Sequence, residues 1–508
     1  MPAHRIRQEE VMKMRIKKLV VKYFIIIVLF PLTVFSQTQL GNDILGQADE
    51  YLGYSVSMSG NGNFVAVGAP INSDNTPFAG QVRVYQYISN AWVQVGNDIN
   101  GEGTNNFSGE AISFNEDGTI LAIGADGNSD NGTNSGHVRI YTNTNGMWTQ
   151  LGNDIDGKFT GDLFGYSVEL SSDGLKVAIG ATLGEGNGVD TGYASVYEYD
   201  GASWVQVGDD ISGINSGEQC GYSVALNSDG SVLAVSSVLA NGNVPDSGIV
   251  RVFEYDGSSW VPKGSVLSGQ AAFDYFGNAI SLNSDGTILA VGADSVDLNG
   301  SNFGQVKVYQ FINNDWLQIG SELNGDDAVS NFGFSVSLNA QGNLLGVGAN
   351  RGKDSNGDST GLARLYSFEN GEWIQLGNTL FGATNLENFG RSVSLSGNGN
   401  KLAIGVPFSN LNGTQAGLAQ VYDLSSLLSV NSFTSSQVKI FPNPVQHSFR
   451  MNLDQGVVLN SVHIYNLLGH KLKTSTSNIV DIGGLSSGIY IVEIETNQGK
   501  LTKRLIKE

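Results

Sequence analysis

The 508-residue chain carries 27 basic and 48 acidic side chains, a net charge of −21, with 40% hydrophobic residues, 67 Gly, 9 Pro and a single Cys. That length exceeds one small core and calls for at least two units, Gly without a G-x-y period excludes collagen, and one Cys excludes a disulfide scaffold. The acid excess sits in residues 37–437, with 12 basic against 41 acidic; this repels nucleic acid and anionic membranes, and either attracts cations or simply keeps the surface hydrated.

The first element is a leader. Arg15, Lys17, Lys18 and Lys22 precede an apolar run from Tyr23 to Phe35. This reads as a secretory signal peptide over 1–36, cleaved near Ser36/Gln37, with an uncleaved anchor as the alternative. No Cys follows the run, so a lipoprotein anchor is not supported.

Residues 37–424 are a repeat. Trp92, Trp148, Trp204, Trp260, Trp316 and Trp373 recur every 56 or 57 positions, as do Gly53, Gly109, Gly165, Gly221, Gly277, Gly333 and Gly390. Each repeat holds four strand-like runs. A first run such as 164–168 meets a tight Asp-Gly turn, as at Asp173-Gly174, where Gly accepts positive φ. An apolar second run, a polar loop of ten residues, a third run such as 80–85 and a fourth beginning at Trp92 follow. Four antiparallel strands per unit is the pattern of a propeller blade, and seven Gly markers predict seven blades. The seventh repeat lacks its Trp strand, but 38–44 reproduces the fourth-run sequence 149–155. The N-terminal strand is therefore expected to complete the last blade and remove open edges.

This repeat resembles the FG-GAP family, through Leu52-Gly53-Tyr54-Ser55-Val56 with Ala66-Val67-Gly68-Ala69-Pro70, and more loosely Phe389-Gly390 with Gly405-Val406-Pro407. The resemblance implies a seven-bladed propeller like the head of integrin α subunits. It does not carry over that family's calcium loops, because the turn between the two motifs is here reduced to Asp117-Gly118, Asp173-Gly174 and their equivalents.

A Ser-rich linker over 425–437 precedes a last unit, 438–508. Its Val438–Pro444 opening, Ile464–Gly469 centre and Leu485–Val492 and Lys503–Lys507 close resemble the type A sorting domain of the type IX secretion system of Bacteroidota. That implies a small β-sandwich whose partner is the type IX machinery, delivering cargo that is released or attached at the surface. Alternation over 489–494 agrees with a strand. The fold class expected is all-β: a seven-bladed β-propeller followed by a small C-terminal β-sandwich, with no transmembrane segment once the leader is removed.

Catalysis finds little support in the residues. The repeat region has one His, His137, in a variable third-run slot that reads as surface, and Cys220 replaces Phe at a core position. Neither a Ser-His-Asp nor a Cys-His arrangement can be assembled. Arg83, Arg139, Arg251 and Arg364 share one slot with Lys307, which reads as structural ion pairing. The Trp series reads as repeated packing rather than a sugar platform. Calcium is the one cofactor with candidate ligands: Asp126, Asn128 and Asp130 alternate in one loop and Asp354, Asn356 and Asp358 in another. The Gly placement is not that of an EF-hand, and Asp and Asn are also ordinary turn residues.

The functional expectation is a secreted or cell-surface binding and adhesion module with an extracellular glycan or protein ligand and no enzymatic activity. Long, varied loops on one face would hold the binding residues. The alternatives are a polysaccharide-active hydrolase using carboxylates of the propeller, or a purely structural surface protein.

Overall fold

A computed structural model describes residues 37–185, 188–298, 301–431, 438–453, 458–466, 469–496 and 499–508. The leader expected over 1–36 and residues 432–437 of the expected linker lie outside the described residues. What is described is all-β, built of antiparallel sheets, with one helix, Ser425–Asn431. None of it is a helix long and apolar enough to cross a membrane.

Residues 38–423 make seven sheets. The third is representative: Phe164–Leu170, Lys176–Ala181, Tyr193–Tyr199 and Trp204–Gln206 lie side by side in chain order, and Ile211–Ser212 adds to the third strand. Its turn forms because the Asp173 carboxylate accepts the Ser171 hydroxyl at 2.6 Å and the Leu175 amide at 2.9 Å. The second strand is apolar on both faces (Val177, Ala178 and Ile179 are fully buried), as a strand covered on both sides must be. In the seventh sheet Thr38–Gln39 pairs with Leu418–Asp423, and Ile44–Leu45 pairs further along the same strand. The sequence match at 38–44 thus falls where a fourth strand is missing.

The two motif glycines have a shared physical cause. The second-strand Gly of one sheet abuts the first-strand Gly of the next: a Cβ on Gly124 would lie 2.0 Å from the Gly165 carbonyl oxygen, and one on Gly180 2.0 Å from that of Gly221. The same contact joins the seventh sheet to the first, Gly405 against Gly53 at 2.0 Å. No side chain fits between backbones this close. The first strands touch in order, and Val393–Leu395 of the seventh sheet touches Ser55–Met58 of the first.

The Trp strands hold neighbouring sheets together at the other edge. Trp204 Nε1 donates to the Leu151 carbonyl at 2.8 Å, and Trp260 to that of Val207 at 2.8 Å. The ring lies over a Gly with positive φ: a Cβ on Gly152 (φ +78°) would sit 2.9 Å from Trp204 Cδ1. The packing role read from the sequence accounts for these residues. The shared cationic slot is also structural in part: Arg83 pairs with buried Glu50 at 2.7 Å, Arg139 with Glu102 at 3.2 Å and Arg364 with Asp326. In the third sheet Ser195 holds the slot, and Lys158 brings the cation to Asp210 from a loop. Cys220 is fully buried, its thiol against the Ile211 carbonyl.

Two readings change. Ser425–Asn431, expected as linker, is a helix, because Leu424 and Leu427 bury against the sixth and seventh sheets with Leu376 and Leu380. His137, expected at the surface, is 1% exposed; its strand, His137–Thr144, is covered on both faces at that end.

Residues 438–507 form two further antiparallel sheets. Val438–Phe441, Ser448–Leu453 and Ile479–Asp481 make one; Lys471–Ser475, Leu459–Tyr465, Gly488–Thr496 and Gly499–Lys507 make the other. Their inward residues, among them Phe449, Met451, Val462, Val492 and Leu505, form one core, so this unit buries its own apolar face.

Candidate functional site

The first strands all run the same way, so each end collects one residue per sheet. At the ends of the strands stand Gly60, Glu116, Ser172, Ser228, Ser284, Ala340 and Gly397. Their backbones are linked from sheet to sheet: Glu116 N to Ser172 O at 3.0 Å, Ser172 N to Ser228 O at 2.8 Å, and so on to Ala340 N to Gly397 O at 2.9 Å. Asn398 N to Gly60 O at 3.2 Å and Asn61 N to Glu116 O at 3.2 Å return the series to its start. These residues line a cavity of about 120 Å³. Three residues earlier in each strand, Ser57, Ser113, Ser281, Ser337 and Ser394 each accept an amide of the next sheet through Oγ, at 2.9–3.0 Å. Glu169 takes the same register position in the third sheet. Burial pushes its carboxyl up to about 8, against a hydrogen bond from Ser113.

The beginnings of the strands differ. The residue after each motif Gly is Tyr54, Glu110, Tyr166, Tyr222, Asn278, Phe334 or Arg391, and all seven are half-buried. Tyr54 Oη donates to Glu110 at 3.2 Å. The Arg391 guanidinium stacks on the Tyr54 ring at 3.6 Å and reaches the Phe334 ring at 5.3 Å. Asn278 Nδ2 donates to the Phe334 carbonyl at 3.1 Å, and the Tyr166 and Tyr222 rings lie 5.1 Å apart. Tyr166 is within electrostatic reach of Tyr54 and Glu110, and Tyr222 of Arg391 and Asp294. The seven side chains therefore face a common space with aromatic faces, one cation and one carboxylate.

Two more acids border it. Asp126 and Asp294 follow the second strands of the second and fifth sheets. Burial raises Asp126 to about 8, with the neighbouring Glu110 adding to the effect. Burial likewise raises Asp294 to about 6, against hydrogen bonds from Ser295 and Asn331. Burial also raises Glu110, while Arg391 and the Tyr54 hydroxyl pull it down. Burial and the negative potential of Glu110 both favour the protonated form of Asp126.

The loop acids proposed as calcium ligands have the following neighbours. Asp126 is brought to Glu110. Asn128 and Asp130 close a turn on each other, Asp130 N donating to Asn128 Oδ1 at 2.9 Å and Asn128 Nδ2 to Asp130 Oδ2 at 3.1 Å. In the other loop the Asp354 carboxylate accepts the Asn356 and Asp358 amides, both at 2.9 Å. The residues after the motif glycines went unread in sequence, although aligning the repeats shows them: five different residue types at a position flanked by Gly and mostly by Ser.

Comparison with known proteins bears on the last unit. Residues 439–508 match the family described as secretion system C-terminal sorting domain. A curated relative, the ulvan lyase NLR42 of Nonlabens ulvanivorans, is 33% identical over 82 residues, which is 15% of this chain and 15% of that protein. The chain thus matches only a small part of that relative's length. Residues 439–508 are a type IX secretion sorting domain, and the protein is exported by that system to the cell surface or the extracellular space.

Proposed function

We propose that residues 37–424 form a seven-bladed β-propeller of FG-GAP-like repeats that serves as a binding and adhesion module for an extracellular glycan or protein. Support for the propeller comes from the sheet-to-sheet contacts that return from the seventh sheet to the first. The observation carrying the binding role is the set after the motif glycines. One register position, repeated seven times on a rigid frame, holds Tyr, Glu, Tyr, Tyr, Asn, Phe and Arg, while its neighbours stay nearly constant. Half-buried aromatic faces beside an Arg and a Glu suit sugar rings or extended peptides, which need flat apolar contact and a few directed polar groups.

A second reading, a polysaccharide-active hydrolase, is favoured by Asp126. An acid that keeps its proton to about pH 8 beside the Glu110 carboxylate is the pairing that general acid catalysis uses. The ulvan lyase match lends this little weight, since it covers a small part of either chain.

Binding of the full chain to an array of glycans and matrix proteins, with and without calcium, tests both. Specific capture with no soluble product supports the module, and calcium dependence implicates the loops at Asp126–Asp130 and Asp354–Asp358. Product release abolished by Asp126→Asn or Glu110→Gln replaces the first reading with the second.

A further inference from the structure

We propose that His137, Asp154 and Asp156 form a binding site for one divalent transition-metal ion of the zinc class. The imidazole is 1% exposed, and neither ring nitrogen has a hydrogen-bond partner. A buried polar ring left unpaired is costly and calls for a ligand. Asp154 Oδ2 stands 3.6 Å from Nδ1, too far for a hydrogen bond. Yet one ligand atom each of His137, Asp154 and Asp156 lie within 4.8 Å of one another. Nitrogen and oxygen ligands at about 2.0–2.2 Å from an ion need only a small side-chain closure from that spacing.

The repeat shows what has been exchanged. His137 pairs across the ladder with Asp156. At the same register the first sheet has Gln81 donating to Asn100 at 2.8 Å, and the fifth has Gln305 donating to Asn324 at 2.7 Å. The second sheet replaces a hydrogen-bonded amide pair with an imidazole and a carboxylate that do not bond each other. Asp130 and Glu102 also approach the imidazole, although Arg139 already engages Glu102. Asp154, Asp130 and Glu102 stand within electrostatic reach of the Asp156 carboxylate, a crowding of acids that a cation relieves. An imidazole ligand favours zinc-like ions over calcium or magnesium, which take oxygen. The site is therefore distinct from the calcium ligands read in the loop sequence: it leaves out Asp126 and Asn128.

Titration of the full chain with zinc chloride against a chromogenic chelator tests this. We expect one zinc per chain, retained in millimolar calcium, and a rise in melting temperature on binding. His137→Gln, which installs the residue of the first and fifth sheets, should keep the metal-free melting temperature and weaken zinc binding at least about tenfold. Asp156→Asn should act in the same direction, and Asp354→Asn should change nothing. No zinc uptake at millimolar metal, or equal affinity in the His137→Gln and Asp156→Asn proteins, would overturn the proposal.

Discussion

The two ends of the first strands obey different rules. At the turn end, Gly, Ser and Ala recur because backbones of successive sheets hydrogen-bond directly, and only Glu116 departs. At the other end the chain has the same seven strands and the same repeat, but Tyr, Glu, Asn, Phe and Arg stand in one register position. The difference teaches where the frame constrains the sequence and where it leaves room for recognition. Backbone hydrogen bonds between sheets restrict residue size at the turn end, while at the other end the side chain that follows each tightly packed motif Gly is free to vary.

The largest expected effect comes from the frame itself. Deleting 37–44 removes the pairing to Leu418–Asp423 and the burial of Ile44, a loss of about 5 kcal/mol. Thermal unfolding should shift sharply down, and unchanged melting would contradict the closure of the seventh sheet by the N-terminal strand. Next is Gly180→Ala, whose new Cβ would meet the Gly221 carbonyl. It should cost about 3 kcal/mol or more in chemical denaturation, whereas Asn278→Ala, at the variable position that follows such a motif glycine, should cost little. Similar costs at both positions would erase the distinction between a frame glycine and the variable residue beside it.

A pH effect follows. Asp126 is held at about 8 against an ordinary value of 3.8, so between these values the folded chain binds more protons than the unfolded one. Stability should therefore fall as pH rises through that window, and Asp126→Asn should flatten the fall. The same slope in both proteins would show that Asp126 is not held protonated. The smallest effect separates two tryptophans. Trp204→Phe loses the bond to the Leu151 carbonyl, worth about 1 kcal/mol. Trp373→Phe should cost less, because Trp373 Nε1 has no partner.

Much of the frame was legible in the sequence, because repeated Gly, Trp and Asp-Gly marks answer to local rules: positive φ, backbone proximity and ring packing. The match between 38–44 and 149–155 even located the strand that joins the ends. The site was less legible. Arg391 meets Tyr54 across sheets far apart in the chain, as Ser392 meets the Val56 amide 336 positions away, and no local pattern announces that meeting. Asp126 looked like a partner of Asn128 and Asp130 because they alternate. Asp126 also lies within electrostatic reach of Glu110, a neighbour 16 positions away that alternation does not reveal. His137 looked superficial because its slot varies, although variation there tracks the cross-strand partner rather than exposure.

The most direct measurement compares affinity for an array-selected ligand in the parent chain, in Arg391→Ala and in Ser228→Ala. The account predicts that Arg391→Ala weakens binding at least about tenfold, the size of a lost interface anchor, while Ser228→Ala at the turn end leaves it unchanged. Unchanged binding in Arg391→Ala, or a loss in Ser228→Ala instead, would contradict the placing of recognition at the variable end.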